Sequence, residues 1–300
     1  MKHPIIYTAL LSAMLVMIGC GNDNDNKSQQ GSNNPSENNP DTGLSEIQKQ
    51  KILDVAEETG TISLKESFLS GVVDTLLYGT DEANEEEECT SGSYSKAVDT
   101  ISFNNCKGLY RAATGLNQYK DLTVSGQVTI TEAGYEYQNL VLVATNGESK
   151  TINGILKLSD SATVSTVSSD SLKVTAIEKD GSASVEVNYI LTDYKLTYTL
   201  NSATEVALNT QGTLAAINSS VGDYSVKFET MSPLLIQLNS EEEISSYPYA
   251  GALKVTNTGY GSTTTLTANT DKKTARYVVT VADKELANGT KNWSEVLGYN

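Results

Sequence analysis

The sequence predicts a mainly β fold: a curled antiparallel sheet, formed as a half-barrel, barrel or sandwich, preceded by one or two short helices. Three observations carry this prediction. From about residue 94, apolar and polar residues alternate in short segments separated by turn residues, the period-two pattern of strands with one face buried and one wet. Glycine recurs at the entry of these segments, where it marks the bulge or bend that curls a sheet. Before residue 94 the apolar spacing is closer to helical.

Ser45 is placed to cap a helix beginning at Glu46, with Ile47, Lys51, Ile52 and Val55 as a partial stripe and Gly60 as its end. Phe68-Leu69, Val72-Val73 and Leu76-Leu77 predict a second helix despite Gly71 and the β-branched residues. Asp81 to Glu88 reads as an exposed acidic loop, because the successive glutamates Glu85 to Glu88 repel one another.

Among the strands, Val185, Val187, Tyr189 and Leu191 face one way, and Ser184, Glu186 and Asn188 the other. Tyr194, Leu196, Tyr198 and Leu200 repeat the scheme against Asp193, Lys195, Thr197 and Thr199. Tyr277, Val279 and Val281 do so near the end of the chain, and Trp293 with Leu297 plugs one end of the core. Asn146-Gly147 and Asp180-Gly181 are hairpin turn signals. A weak repeat links the segments at Gly126, Gly154, Gly212 and Gly251, without the fixed period that a propeller or solenoid needs. A transmembrane barrel would show an outward apolar band with aromatic girdles; the polar strand faces here carry Ser and Thr, which favours a domain outside the bilayer.

With 37 acidic against 21 basic residues, the formal charge is −16. No basic patch is visible, which argues against a nucleic-acid partner and against an electrostatic embrace of anionic lipid. No cofactor and no metal ligand set is implied. The single histidine, His3, lies in the leader. Without it the chain has no Ser-His-Asp or Cys-His catalysis and no histidine-ligated zinc. The expectation is a non-enzyme, with carboxylate-only chemistry still open.

The leader has the three-part form of a secretory signal: Lys2, an apolar run from Ile5 to Ile18, and a small residue before a cysteine. The run is about fourteen residues, against roughly twenty for a membrane-spanning helix. Its end, Leu15-Val16-Met17-Ile18-Gly19-Cys20, resembles the lipobox of bacterial lipoproteins, with Met17 in place of the usual leucine. The resemblance implies a signal peptide over residues 1–19 and acylation of Cys20. A residue other than Asp after that cysteine, here Gly21, implies lipid anchoring at the outer membrane, facing periplasm or cell surface. Residues 20–43 then form the lipidated cysteine and a disordered tether, rich in Asn, Ser, Gly, Pro and Asp. Residues 44–93 form the helical segment and acidic loop, and 94–300 the β-rich domain. In that oxidising compartment the remaining pair, Cys89 and Cys106, is expected as a structural disulfide.

Tyrosine is abundant, at 16 residues against 3 phenylalanines, and Tyr135, Tyr137, Tyr189, Tyr194 and Tyr198 sit on strand faces. The same-face set Tyr189, Leu191, Tyr194, Leu196 and Tyr198 lines either a packed core or a ligand cavity, since both need alternating apolar residues. Two functions follow. One is a carrier of lipid or another hydrophobic ligand, broadly similar to outer-membrane lipoprotein carriers. The other is a structural or interaction lipoprotein with an envelope protein as partner. The segment from Asn288 to Leu297, with Tyr247 to Gly251 upstream, is similar to the closing section of uncharacterised β-rich lipoproteins.

Overall fold

Helix α1 (Glu46–Lys65) starts on a capping box. Gln48 N donates to Ser45 Oγ at 3.3 Å, and Ser45 N donates back to Gln48 Oε1 at 2.9 Å. The helix runs through Gly60 rather than ending there. Ile52 and Val55 are buried, whereas Ile47 is 83% exposed: five residues before Ile52, it lies about 140° round the helix. The computed structural model describes residues 43–65, 72–116, 118–180, 183–240 and 244–297. The leader, Cys20 and the tether to residue 42 lie outside the described residues, as do Phe68, Leu69, Gly71 and Gly181.

Helix α2 (Val72–Asn84) buries Val72, Val73, Leu76, Leu77 and Ala83. It takes Asp81 to Asn84 into the helix, shortening the predicted acidic loop, because Ala83 is buried and Tyr135 donates to the Asp81 carboxylate. Glu85 to Glu88 are exposed as expected.

The sheet begins at Ser91, slightly before the predicted boundary. Its strands are β1 (Ser91–Ala97), β2 (Thr100–Gly115), β3 (Gln118–Thr131), β4 (Gly134–Val143), β5 (Ser149–Asp160), β6 (Val164–Asp180) and β7 (Ala183–Ser202). There follow β8 (Glu205–Ile217), β9 (Tyr224–Gln237), β10 (Ala250–Asn257), β11 (Ser262–Ala268), β12 (Thr274–Val281) and β13 (Lys284–Asn292), with a terminal turn of helix α3 (Trp293–Val296). All pair antiparallel in sequence order, giving one 13-stranded meander. The Asn146-Gly147 turn joins β4 to β5 as expected. The ends do not meet: β1 pairs only with β2 and β13 only with β12. Both edge strands are largely exposed, and their polar residues blunt the free edges against further pairing.

Contacts of α2 show the curl. Thr75 Oγ1 donates to Arg111 O on β2, while the adjacent Asp74 accepts from Tyr198 on β7. Those strands stand five places apart, about 24 Å in a flat sheet at ~4.8 Å per strand. Adjacent helix residues cannot span that distance, so the sheet wraps around α2. The bends come from bulges. Gly126, Gly212 and Gly251 each stand opposite two residues of the neighbouring strand, and Gly154 flanks another register shift. The repeat glycines thus lie at bulges, as their recurrence predicts, although those at 126, 154 and 212 sit within strands rather than at strand entries.

Cys89 and Cys106 are bonded, with sulfurs 2.04 Å apart. Cys106 is fully buried on β2, so the bridge moors the segment that leaves α2 to the sheet. Replacing both cysteines by serine is expected to lower stability by about 2–4 kcal/mol while strand content is kept. Urea unfolding with far-ultraviolet circular dichroism checks this; an unchanged midpoint would show that packing alone holds the loop.

Trp293 closes the other end of the core, as predicted. It is fully buried, and its indole N–H donates to Pro248 O at 2.9 Å.

Candidate functional site

On β7 the apolar set changes phase between Leu191 and Tyr194, an odd step that would put the two on opposite faces of a regular strand. A bulge at Asp193, with φ of 51°, absorbs the extra residue against Gly212. Tyr189, Leu191, Tyr194, Leu196 and Tyr198 therefore do share one face, and each is no more than 5% exposed.

That face is packed core with α2 seated on it. Tyr198 OH donates to Asp74 Oδ1 at 3.1 Å, and the Tyr110 and Tyr137 hydroxyls lie 3.0 and 3.4 Å from Thr80 Oγ1. With Tyr135 on Asp81, hydroxyls from β2, β4 and β7 converge on one helix. Gly79 lets the Tyr110 ring lie against the helix backbone; a Cβ there would stand 2.3 Å from the ring. Tyr189 instead donates to Glu178 Oε1 at 2.9 Å. Four of the 16 tyrosines, Tyr110, Tyr135, Tyr137 and Tyr198, thus hold the helix, each with its apolar body in the core and its polar tip on a partner. Tyr198→Ser is expected to cost about 2–5 kcal/mol, the range for large-to-small core changes. A melting temperature close to that of the parent would instead mark a loosely filled wall.

Burial pushes the Asp74 carboxyl up to about 8, and the hydrogen bond from Tyr198 draws it only partway back. The same burial raises Tyr110 and Tyr137 above the ordinary phenol range. Across the strands, Ser165 pairs with Tyr198, Ser169 with Tyr194, and Thr210 with Leu196. The side-chain oxygens of Ser165, Ser169 and Thr210 are buried without a hydrogen-bond partner. A polar seam therefore runs through the apolar core near α2.

A second region is accessible. A groove of about 270 Å³ lies between α1, strands β11 to β13 and α3. Ala56, Leu266, Val279 and Val296 form a buried, mainly apolar floor. Leu53, Tyr277 and Ala287 are half-buried walls, while Gln50, Asp54 and Lys291 supply the polar part. Gln50 Nε2 donates to Asp54 Oδ1 at 2.7 Å, and Lys291 Nζ stands 6.0 Å from the centre of the Tyr277 ring.

Alternation at Tyr277 and Val279 marks part of this groove in the sequence, whereas its α1 wall is formed by Gln50, Leu53, Asp54 and Ala56, none of them in the predicted stripe. Leu53, Asp54 and Lys291 carry no local signal, because only the closed fold brings residues of α1 to those of β13. Among the described residues, no group of three or more His, Cys, Asp or Glu side chains could hold a metal ion. No family model, curated protein or solved structure matches this chain.

Proposed function

We propose that this chain is an exported, non-catalytic lipoprotein of the outer membrane that holds a lipid or similar apolar ligand in the groove beside α1. The groove's apolar floor beneath a polar mouth carries this reading. The leader ending at Cys20 supports the lipid anchor, and the lack of histidine after His3 supports a non-catalytic role. Helix α1, which forms one wall of the groove, is the first described element after Cys20 in the chain. Acidity supports a ligand other than nucleic acid.

The second reading, a structural or interaction lipoprotein, is favoured by the tyrosine-lined face being filled by α2. The two separate in native mass spectrometry of the Cys20→Ala chain, which is expected to be unlipidated and outside the membrane fraction. Copurifying lipid that is lost in Leu53→Arg supports the carrier. A stoichiometric envelope protein after crosslinking, with no lipid bound, supports the interaction reading. Labelled fatty acid entering the Cys20→Ala chain would overturn the anchor assignment.

A further inference from the structure

We infer that the groove takes an aliphatic chain that bears a hydroxyl group, read by the side chain of Thr264; the inference rests on the groove being the ligand site. Ser262, Thr264, Leu266 and Ala268 are the inward residues of β11, and of these Thr264 and Leu266 line the groove. The cross-strand neighbours of Thr264 are Val255 on β10 and Val279 on β12, both buried. Valine is β-branched like threonine and close to it in shape, so an apolar side chain would fill this place as well. The chain puts a hydroxyl there instead, on a residue that is only 6% exposed.

Among the described residues that hydroxyl has no hydrogen-bond partner. Unlike the hydroxyl of Thr210, it is not sealed in the core, and the groove is the space on which Thr264 opens. A plain alkyl chain laid along the floor would cover this oxygen and cut it off from water with nothing to bond, which is costly. A hydroxyl carried by the chain removes that cost. Threonine both donates and accepts, and so does an alcohol, so the two bond whichever way the proton points. Ala56, Leu266, Val279 and Val296 offer the rest of the chain an apolar bed.

Calorimetric titration of the full-length Cys20→Ala chain tests this with dodecanoate and three hydroxydodecanoates, each below its micelle concentration. The hydroxyl is placed near the head, at mid-chain and at the tail, while head group and chain length stay the same. The tightest hydroxylated probe is expected to bind about three- to thirtyfold better than dodecanoate, equivalent to about 0.7–2 kcal/mol. Thr264→Val keeps the shape and removes the oxygen. It is expected to abolish or reverse that preference, with a melting temperature unchanged or higher, which separates lost recognition from lost folding. Leu53→Arg is expected to weaken all four probes at least tenfold. Dodecanoate bound as tightly as every hydroxylated probe, with binding still lost in Leu53→Arg, overturns the hydroxyl inference and leaves the groove as the ligand site. A preference that survives in Thr264→Val overturns the role of Thr264. Binding of none of the four, or binding untouched by Leu53→Arg, overturns both the inference and the groove.

Discussion

Gly251→Ala and Gly126→Ala are each expected to cost about 3–5 kcal/mol, combining left-handed backbone strain with an overpacked contact. At Gly251, φ is +98°, and a Cβ would stand 2.0 Å from Pro233 O. At Gly126, φ is +111°, and the atom met is Asn139 O at 2.2 Å. Both obstacles are backbone carbonyls at bulges, so relief requires undoing the bend rather than rotating a side chain. Against a total stability of roughly 5–15 kcal/mol, the double variant is expected to lose most of its stability. Gly261→Ala is the control: its φ is also positive, at +63°, but nothing lies within 4 Å, so only about 1–2 kcal/mol is at stake. Urea midpoints for the three single variants decide the matter. If Gly251→Ala unfolds where Gly261→Ala does, close strand approach is not what fixes the bend.

Asp74→Asn is expected to stabilise the protein at pH 9 by a few kcal/mol, since each tenfold change in proton affinity is worth roughly 1.4 kcal/mol, less after local relaxation. The folded carboxyl is raised from 3.8 to about 8, chiefly by burial. Between those values the folded chain keeps a proton that the unfolded chain releases. Stability conferred by the neutral form is therefore complete below the unfolded value, falls as pH rises through this window, and is fully lost above about 8. Asparagine preserves the shape and cannot ionise, so the difference between the two proteins should be small at pH 4 and grow with pH. Unfolding curves at pH 4, 7 and 9 measure it; a difference that stays constant would mean that Asp74 reaches solvent.

Much of the architecture was legible because strand alternation is a local property. The β7 faces could be read residue by residue, even across the odd step from Leu191 to Tyr194, since polar neighbours marked the outward positions on both sides. What local pattern could not show was the bulge at Asp193 that makes the two halves one face. The seat of α2 was hidden for a different reason. Gly79 weakens a helix judged by propensity alone, and its use becomes visible only when the Tyr110 ring lies against it. The choice between core and cavity on the tyrosine face depended on that helix. The groove depends on residues drawn from α1 and from the last strands, a pairing that no spacing encodes. Its rim residues Asp54 and Lys291 look like ordinary surface charges when read along the chain.

The strictly sequential order of the sheet also bears on how the chain reaches its native state. Each hairpin joins neighbours in sequence, so strand can add to strand with short loop closures and little search. The helices are the exceptions: α2 meets β7 through Asp74 and Tyr198, and α1 rests against β9, β10, β11 and α3 near the opposite end of the chain. That contact closes a loop of about 200 residues and gains nothing until the later strands exist. Zipping from the amino terminus therefore leaves α1 waiting for the final hairpins. Refolding followed by pulsed hydrogen exchange should protect the strand pairs before α1, so the groove is the final part of the molecule to be assembled.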